Sequence, residues 1–224
     1  MNSELHLAQS YFTLPSHMPF QDFFLPEKPV WEWVEAIQNA LQSFDFLHQE
    51  GLRNTHPGLV IEGNVFIHPS VKLPPYGVIQ GPVWIGPETV LRPGIFIRGN
   101  VIVGQKCVLG HSCEYKNALL MDNVETAHFN YVGDSVLGSH AHLGAGAILA
   151  NLRLDRQSVK VRTPQGRYET HRKKLGAILG EGVDVGCNAV LQPGTLVAKG
   201  GRVWPATAAG GFIGEDKTVI KGFG

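Results

Sequence analysis

Charge is scarce in this chain of 224 residues: Asp, Glu, Lys and Arg make up 17% of it, and 19 basic residues balance 19 acidic ones. That balance excludes an electrostatic partnership of the whole molecule with nucleic acid or an anionic membrane, and leaves any such role to a local cluster. Cysteine is scarcer still. Cys107, Cys113 and Cys187 are too few for a disulfide framework and show no CxxC spacing, which fits reduced thiols in a cytoplasm. No stretch approaches 18 consecutive apolar residues, and the N-terminus MNSELHLAQS lacks a basic segment followed by an apolar one. Neither a membrane span nor an export signal is expected, so the localisation read from the sequence is cytoplasmic.

What the chain does have is glycine, 27 residues, and proline, 14 residues, which point to many turns and few long exposed helices. It also has a period. A bulky residue returns at every sixth position from Ile61 through Ile67, Leu73, Ile79, Ile85, Leu91, Ile97, Val103, Leu109 and Tyr115 to Met121, and resumes in Leu137, Leu143 and Leu149 and again from Leu179 to Val203. A second, mostly small series lies four residues after each, and includes Cys107 and Cys113. Neither 3.6 nor 2 residues per repeat gives this pattern. A parallel β-helix of hexapeptides does: each is a short strand and a turn, three close one triangular coil, and roughly six to seven coils follow. The fold class is therefore all-β, and the two cysteines are packing residues.

Two segments stand outside the period. Residues 1–57 hold YFTLPSHMPFQDFFLP and then a helical stripe of Val30, Val34, Ile37, Leu41 and Phe44 opened by Pro29. This segment is expected to cap the open first coil, since a solenoid end is a bare sheet edge. Residues 58–224 form the β-helix, interrupted at about 152–176 by LRLDRQSVKVRTPQGRYETHRKKLG. That insertion gathers eight Lys or Arg residues against Asp155 and Glu169, either as a solvated face or as a site for phosphate-bearing ligands.

Stacking by eighteen predicts neighbours: Arg92, Gly110 and His128 in one column, Arg98, Lys116 and Asp134 in the next. A guanidinium, an ammonium and an imidazole then leave the core near one edge, a base beside a phosphate clamp. After Ala127 the next bulky residues, Val132 and Leu137, come at spacings of five, and such a slip is expected to re-aim side chains there. Zinc would need three converging imidazoles; His128, His140 and His142 do not stack, so no metal is expected.

The segments LRPG (91–94), EYKN (114–117), HFNYVGD (128–134), LGAGAILANL (143–152) and LGEGVDVGCNAVL (179–191) resemble the left-handed β-helix acyltransferases. The similarity is greatest to the acetyltransferase half of bifunctional N-acetylglucosamine-1-phosphate uridyltransferases and to the C-terminal domains of related sugar-1-phosphate nucleotidyltransferases. That resemblance implies a left-handed helix and acetyl transfer from acetyl-CoA to the amine of an amino-sugar phosphate, glucosamine-1-phosphate being the type substrate. By motif, His128 matches the general base, Glu114 the carboxylate near the amine, and Asn151 an amide that positions substrate. Arg92, Lys116 and Tyr131 match the sugar-phosphate binders, with His142 at a further substrate position where asparagine is usual. Ala145 and Cys187 fall where the family contacts acetyl-CoA. Leu152 replaces a tyrosine, and Pro205 a small residue of the coenzyme channel. The resemblance further implies a homotrimer with the site between subunits. An alternative is a non-catalytic sugar-nucleotide-binding or assembly module that partners a separate nucleotidyltransferase.

Overall fold

The computed structural model describes residues 4–46 and 56–219. The chain winds into a parallel β-solenoid of about nine turns. Three flat faces run along it. Face one stacks Gly58–Glu62, Tyr76–Gln80, Ile95–Arg98, the starts of Glu114–Leu120 and Tyr131–Leu137, then Ile148–Leu149, Val190–Leu191 and Ala208–Ala209. Face two begins at Val65–Ile67 and takes in the second halves of the two seven-residue strands, which pass through the corner and join faces one and two. Face three is a separate sheet of seven strands, from Val90–Leu91 to Thr218–Val219.

The core follows directly from the six-residue rule. Each hexapeptide turns one bulky side chain inward, and Ile79, Ile97, Tyr115, Val132, Leu149 and Leu191 are all buried on face one. The register corrects the stacking interval, however. Ile97 pairs with Tyr115 eighteen residues on, but Tyr115 pairs with Val132 and Thr126 with Leu143, seventeen on. The lost residue sits at the corner between faces one and two. One coil earlier that corner uses two left-handed residues, Gly99 and Asn100; the next two coils turn on Asn117 alone and then Asp134 alone, at φ 47° and 49°. Asn and Asp tolerate this conformation because their short polar side chains bond locally.

Two expectations change as a result. The phase breaks between Tyr115 and Leu120 and between Val132 and Leu137, so Met121 packs outside the coil and the His128 corner is not where the chain slips. Gly110 lies opposite Ala127, and His128 opposite His111, so the column drawn by eighteens was one residue off. Lys116 likewise faces Gly133, with Asp134 one position on.

Among the described residues, the N-terminal segment packs along a flank of the solenoid, whereas the sequence predicts a cap on the open first coil. Its helix, Trp33–Ser43, buries Trp33, Val34, Ile37, Ala40 and Leu41. These pack with Trp84, Ile102, Leu119, Val136, Ile178 and Leu196, the outward side chains of successive face-two strands. Phe20 meets Trp84 edge-on at 5.7 Å, and Phe44 meets Phe66 at 5.4 Å. At about 1.5 Å per residue against about 4.8 Å per coil, this helix spans three to four coils. The insertion forms an antiparallel hairpin, Lys160–Thr163 with Gly166–Glu169, tied to the helix by Arg172–Glu35 at 3.4 Å. Among the described residues no helix is long and apolar enough to cross a membrane.

Candidate functional site

The corner between faces three and one carries one residue per coil in a continuous column: Pro93, His111, His128, Ala145, Cys187, Pro205. A backbone ladder fixes it, since the amide of the residue after each donates to the carbonyl one coil back: Ser112 to Pro93, Phe129 to His111, Gly146 to His128, Asn188 to Ala145, Ala206 to Cys187. Each donor has a positive φ, which makes the sharp turn and points the column residue outward. Small neighbours let the coils close up: a Cβ on Gly144 would lie 2.6 Å from the Cys187 nitrogen, and one on Gly186 would lie 2.4 Å from that of Pro205. His128, Ala145 and Cys187, which the family resemblance matched to base and coenzyme positions, thus follow one another along a single edge.

His128 is exposed, and its imidazole is engaged from below. Arg92 reaches across a coil, its Nη1 standing 3.2 Å from His128 Nε2 and 3.4 Å from the Ala127 carbonyl. A guanidinium can only donate, so this Nε2 presents its lone pair. Phe129, 55% exposed, packs edge-on against His111 at 5.3 Å.

Face one, reached directly from that corner, presents the second group. Glu114 and Tyr131 are cross-strand neighbours on the outer surface. Arg98 holds Glu114 at 2.6 Å, and this bond raises the guanidinium's pKa. At the face-one edge Asp134, only 3% exposed, accepts from Asn117 Nδ2 at 2.9 Å and from Asn151 Nδ2 at 2.5 Å, with Lys116 Nζ at 3.6 Å. Asn151 also donates to the Tyr131 hydroxyl at 3.1 Å. Partial burial, with the charges of Asp134 and Glu114, pushes the Tyr131 phenol up, so it stays protonated at neutral pH. Lys116, Tyr131, Asp134 and Asn151 are one bonded cluster, with Glu114 and Arg98 beside it.

Three residues of this cluster were not singled out by motif. Asn117 and Asp134 lie inside the quoted EYKN and HFNYVGD segments but were given no role there, and Arg98 was noted only in a column; the seventeen-residue interval linking Asn117, Asp134 and Asn151 is the signal that finds the first two. His142 lies elsewhere. It stands on the outer surface of face three, where its Nδ1 is 2.7 Å from Asp184 Oδ1. Leu152 bridges to Lys174 where the insertion leaves and rejoins the solenoid. Within the insertion Arg153 pairs with Asp155 and Lys160 with Glu169, so part of its positive charge is neutralised internally. Among the described residues no group of three or more His, Cys, Asp or Glu is placed to hold a metal.

A solenoid of hexapeptide coils with an imidazole, a carboxylate and cationic donors gathered on one corner and its adjoining face defines the class. The chain belongs to the GMPPB C-terminal domain family, whose model matches residues 79–199. It is 36% identical over 106 residues to a bifunctional sugar-1-phosphate nucleotidylyltransferase/acetyltransferase of Sulfurisphaera tokodaii, covering 47% of this chain and 26% of that one. It is 40% identical over 96 residues to the bifunctional protein GlmU of Methanocaldococcus jannaschii, covering 43% and 23%. The matched region thus spans about a quarter of these relatives' length. Among solved structures it is similar to AntD, an N-acyltransferase from Bacillus cereus in complex with dTDP and coenzyme A. There the identity is 16%, the coverage 74% of this chain and 81% of that one, and the TM-score 0.28.

Proposed function

We propose that the chain is an acetyl-CoA-dependent N-acetyltransferase acting on the amine of an amino-sugar phosphate, with glucosamine-1-phosphate the first substrate to test. The observation that carries this reading is the exposed His128 imidazole, its Nε2 3.2 Å from Arg92 Nη1, at a corner that adjoins the face bearing Glu114, Lys116, Tyr131 and Asn151. In the reaction the amine nitrogen attacks the thioester carbon, and its proton passes to His128. The C–S bond then breaks, and the coenzyme A thiolate takes up a proton. Lys116 and Arg98 offer charge-assisted bonds to the sugar phosphate, and Tyr131 a neutral donor. Glu114 is suited to orient the ammonium before it loses its proton.

The column of Ala145 and Cys187 above His128 suits an extended pantetheine arm, because small residues leave that edge open to a donor thioester. Pro205 at the same edge narrows the far end of the path. The family resemblance supports a homotrimer in which a neighbouring subunit completes the site, and a place in UDP-N-acetylglucosamine synthesis. The same resemblance supports a cytoplasmic location.

A second reading is supported by one specific contact, the Arg92 guanidinium resting on the lone pair that a base must use. On that reading the chain is a non-catalytic sugar-nucleotide-binding module, partner to a separate nucleotidyltransferase. Release of coenzyme A thiol from acetyl-CoA with glucosamine-1-phosphate decides between them. Turnover by the native chain, lost in His128→Ala, is the expected result. Absence of turnover across a panel of amino-sugar phosphates, with a sugar nucleotide still bound, sinks the enzyme reading.

A further inference from the structure

The interior of this solenoid is mostly aliphatic, with single buried threonines such as Thr89 and Thr207, but beside the His128 corner several polar side chains meet. Thr126, two residues before His128, and Asn130, two residues after, both point inward and are 0% and 2% exposed. Tyr115 and Cys113 from the coil below complete a buried polar cluster. The Tyr115 hydroxyl lies 2.7 Å from Thr126 Oγ1, donates to the Thr126 carbonyl and accepts the Gly110 amide at 3.3 Å. Complete burial pushes its pKa well above the ordinary value, so it acts as a neutral hydrogen-bonding group. Elsewhere at this corner the amides of Arg92, Gly144 and Gly186 donate to carbonyls of the next coil. At Gly110 a side chain takes that part.

Asn130 does more. Its Oδ1 accepts the His128 backbone amide at 3.3 Å, while its Nδ2 donates to the carbonyls of Gly144 at 2.8 Å and Ala147 at 3.3 Å. One buried side chain thus joins the His128 corner to the turn that presents Ala145, one coil up. An amide is not the rule at this position: the equivalent inward residues of the other coils are Ile95, Cys113, Ala147, Ala189 and Thr207, all buried. Burying an amide is unfavourable unless every polar atom is bonded, and here the bonds run to the backbone on either side of the proposed site.

We propose that Asn130 is a positioning residue: it fixes the His128 imidazole relative to the Ala145 turn, and so relative to a thioester bound along that edge. This rests on the acetyltransferase reading for its kinetic arm alone. The experiment compares the native chain with Asn130→Ala and Asn130→Thr. Threonine already occupies inward positions 89, 126 and 207 in other turns of this solenoid, the last of them equivalent to position 130, which makes the second variant compatible with the core; it retains one oxygen but not the two amide donors.

The readouts are kcat, KM and the nitrogen and carbon shifts of the His128 ring across a pH titration, with His128→Ala to assign the signals. A misplacement on the order of 1 Å costs up to about 100-fold in rate. The expected result is kcat lowered at least about tenfold with KM within about twofold, together with a changed tautomer or titration midpoint for His128. If Asn130→Ala does not fold, Asn130→Thr decides. A folded variant with native kcat and native His128 signals overturns the proposal. If the native chain shows no turnover, the acetyltransferase reading fails on its own. The His128 spectra of native and variant then judge Asn130: unaltered signals overturn its role and altered ones support it.

Discussion

Gly110 is where the seventeen-residue coil is tightest, and Gly110→Ala tests that geometry most directly. A Cβ at this position would lie 2.0 Å from the carbonyl carbon of Ala127, 2.1 Å from its oxygen and 2.4 Å from the oxygen of Thr126. All three are backbone atoms, so no rotamer change relieves the contact. Ordinary contact begins near 3.4 Å, and the two coils must part by about 1.4 Å at the residue preceding His128. Overpacking of this kind costs about 1–3 kcal/mol, and loosening the Gly110–Tyr115 hydrogen bond adds about 1 kcal/mol. For a chain of this size about 3 kcal/mol lowers the melting temperature by about 6–12 °C. Because the strain falls beside the proposed base, kcat/KM should drop about 100-fold. Gly210→Ala is the control: its Cβ meets only the flexible Gln192 side chain, at 3.3 and 3.4 Å. Thermal unfolding and steady-state kinetics on both variants read the outcome. A Gly110→Ala protein that melts within about 2 °C of the native one would refute the register argued here, whatever its activity.

Leu119→Ala removes a fully buried side chain between face two and the N-terminal helix and should cost about 2–5 kcal/mol by denaturant unfolding, while Leu154→Ala, on a fully exposed turn of the insertion, should cost almost nothing. A thiol reagent at pH 8 should label Cys187 alone in the native protein and all three cysteines after denaturation. Cys187 is exposed, whereas burial pushes Cys107 up to about 12 and raises Cys113; labelling of more than one thiol in the folded chain would contradict the core described here. Tyr131→Phe should raise KM for the sugar phosphate by about one hydrogen bond, several-fold, and leave the alkaline limb of the rate profile in place. The sign follows from the raised phenol, which is neutral below its ordinary pKa in either case; an alkaline limb that moves in the phenylalanine variant would show that this hydroxyl titrates in catalysis.

How much of this was legible in the sequence depends on two residues. The hexapeptide series from Ile61 to Tyr115 gave the solenoid outright, because each face can bury only one bulky side chain per repeat. At Asn117 and again at Asp134 the chain turns with one residue fewer, and Met121 still looks in phase although it faces the N-terminal segment. Phase was therefore lost where the site begins. Arg92 and His128 were brought together by a count that erred by one, and they meet only because an arginine side chain is long enough to reach past the Ala127 carbonyl.

The same error hid the covering of face two. An outward position in a hexapeptide is polar when it meets water, yet Phe66, Trp84, Ile102, Leu119, Val136, Ile178, Leu196 and Phe212 are all apolar. With intervals of eighteen, eighteen, seventeen and seventeen from Phe66 to Val136, they form one column; with eighteens throughout they scatter. Read in the right phase, that column demands an amphipathic partner, and the stripe containing Trp33, Val34, Ile37 and Leu41 supplies it. The two short corners therefore do three things at once. They draw the coils bearing Glu114 and Tyr131 into register, they build the Asn117–Asp134–Asn151 ladder, and they keep face two apolar in phase for the helix. A chain that restored the missing residue at either corner would keep its hexapeptides but part all three.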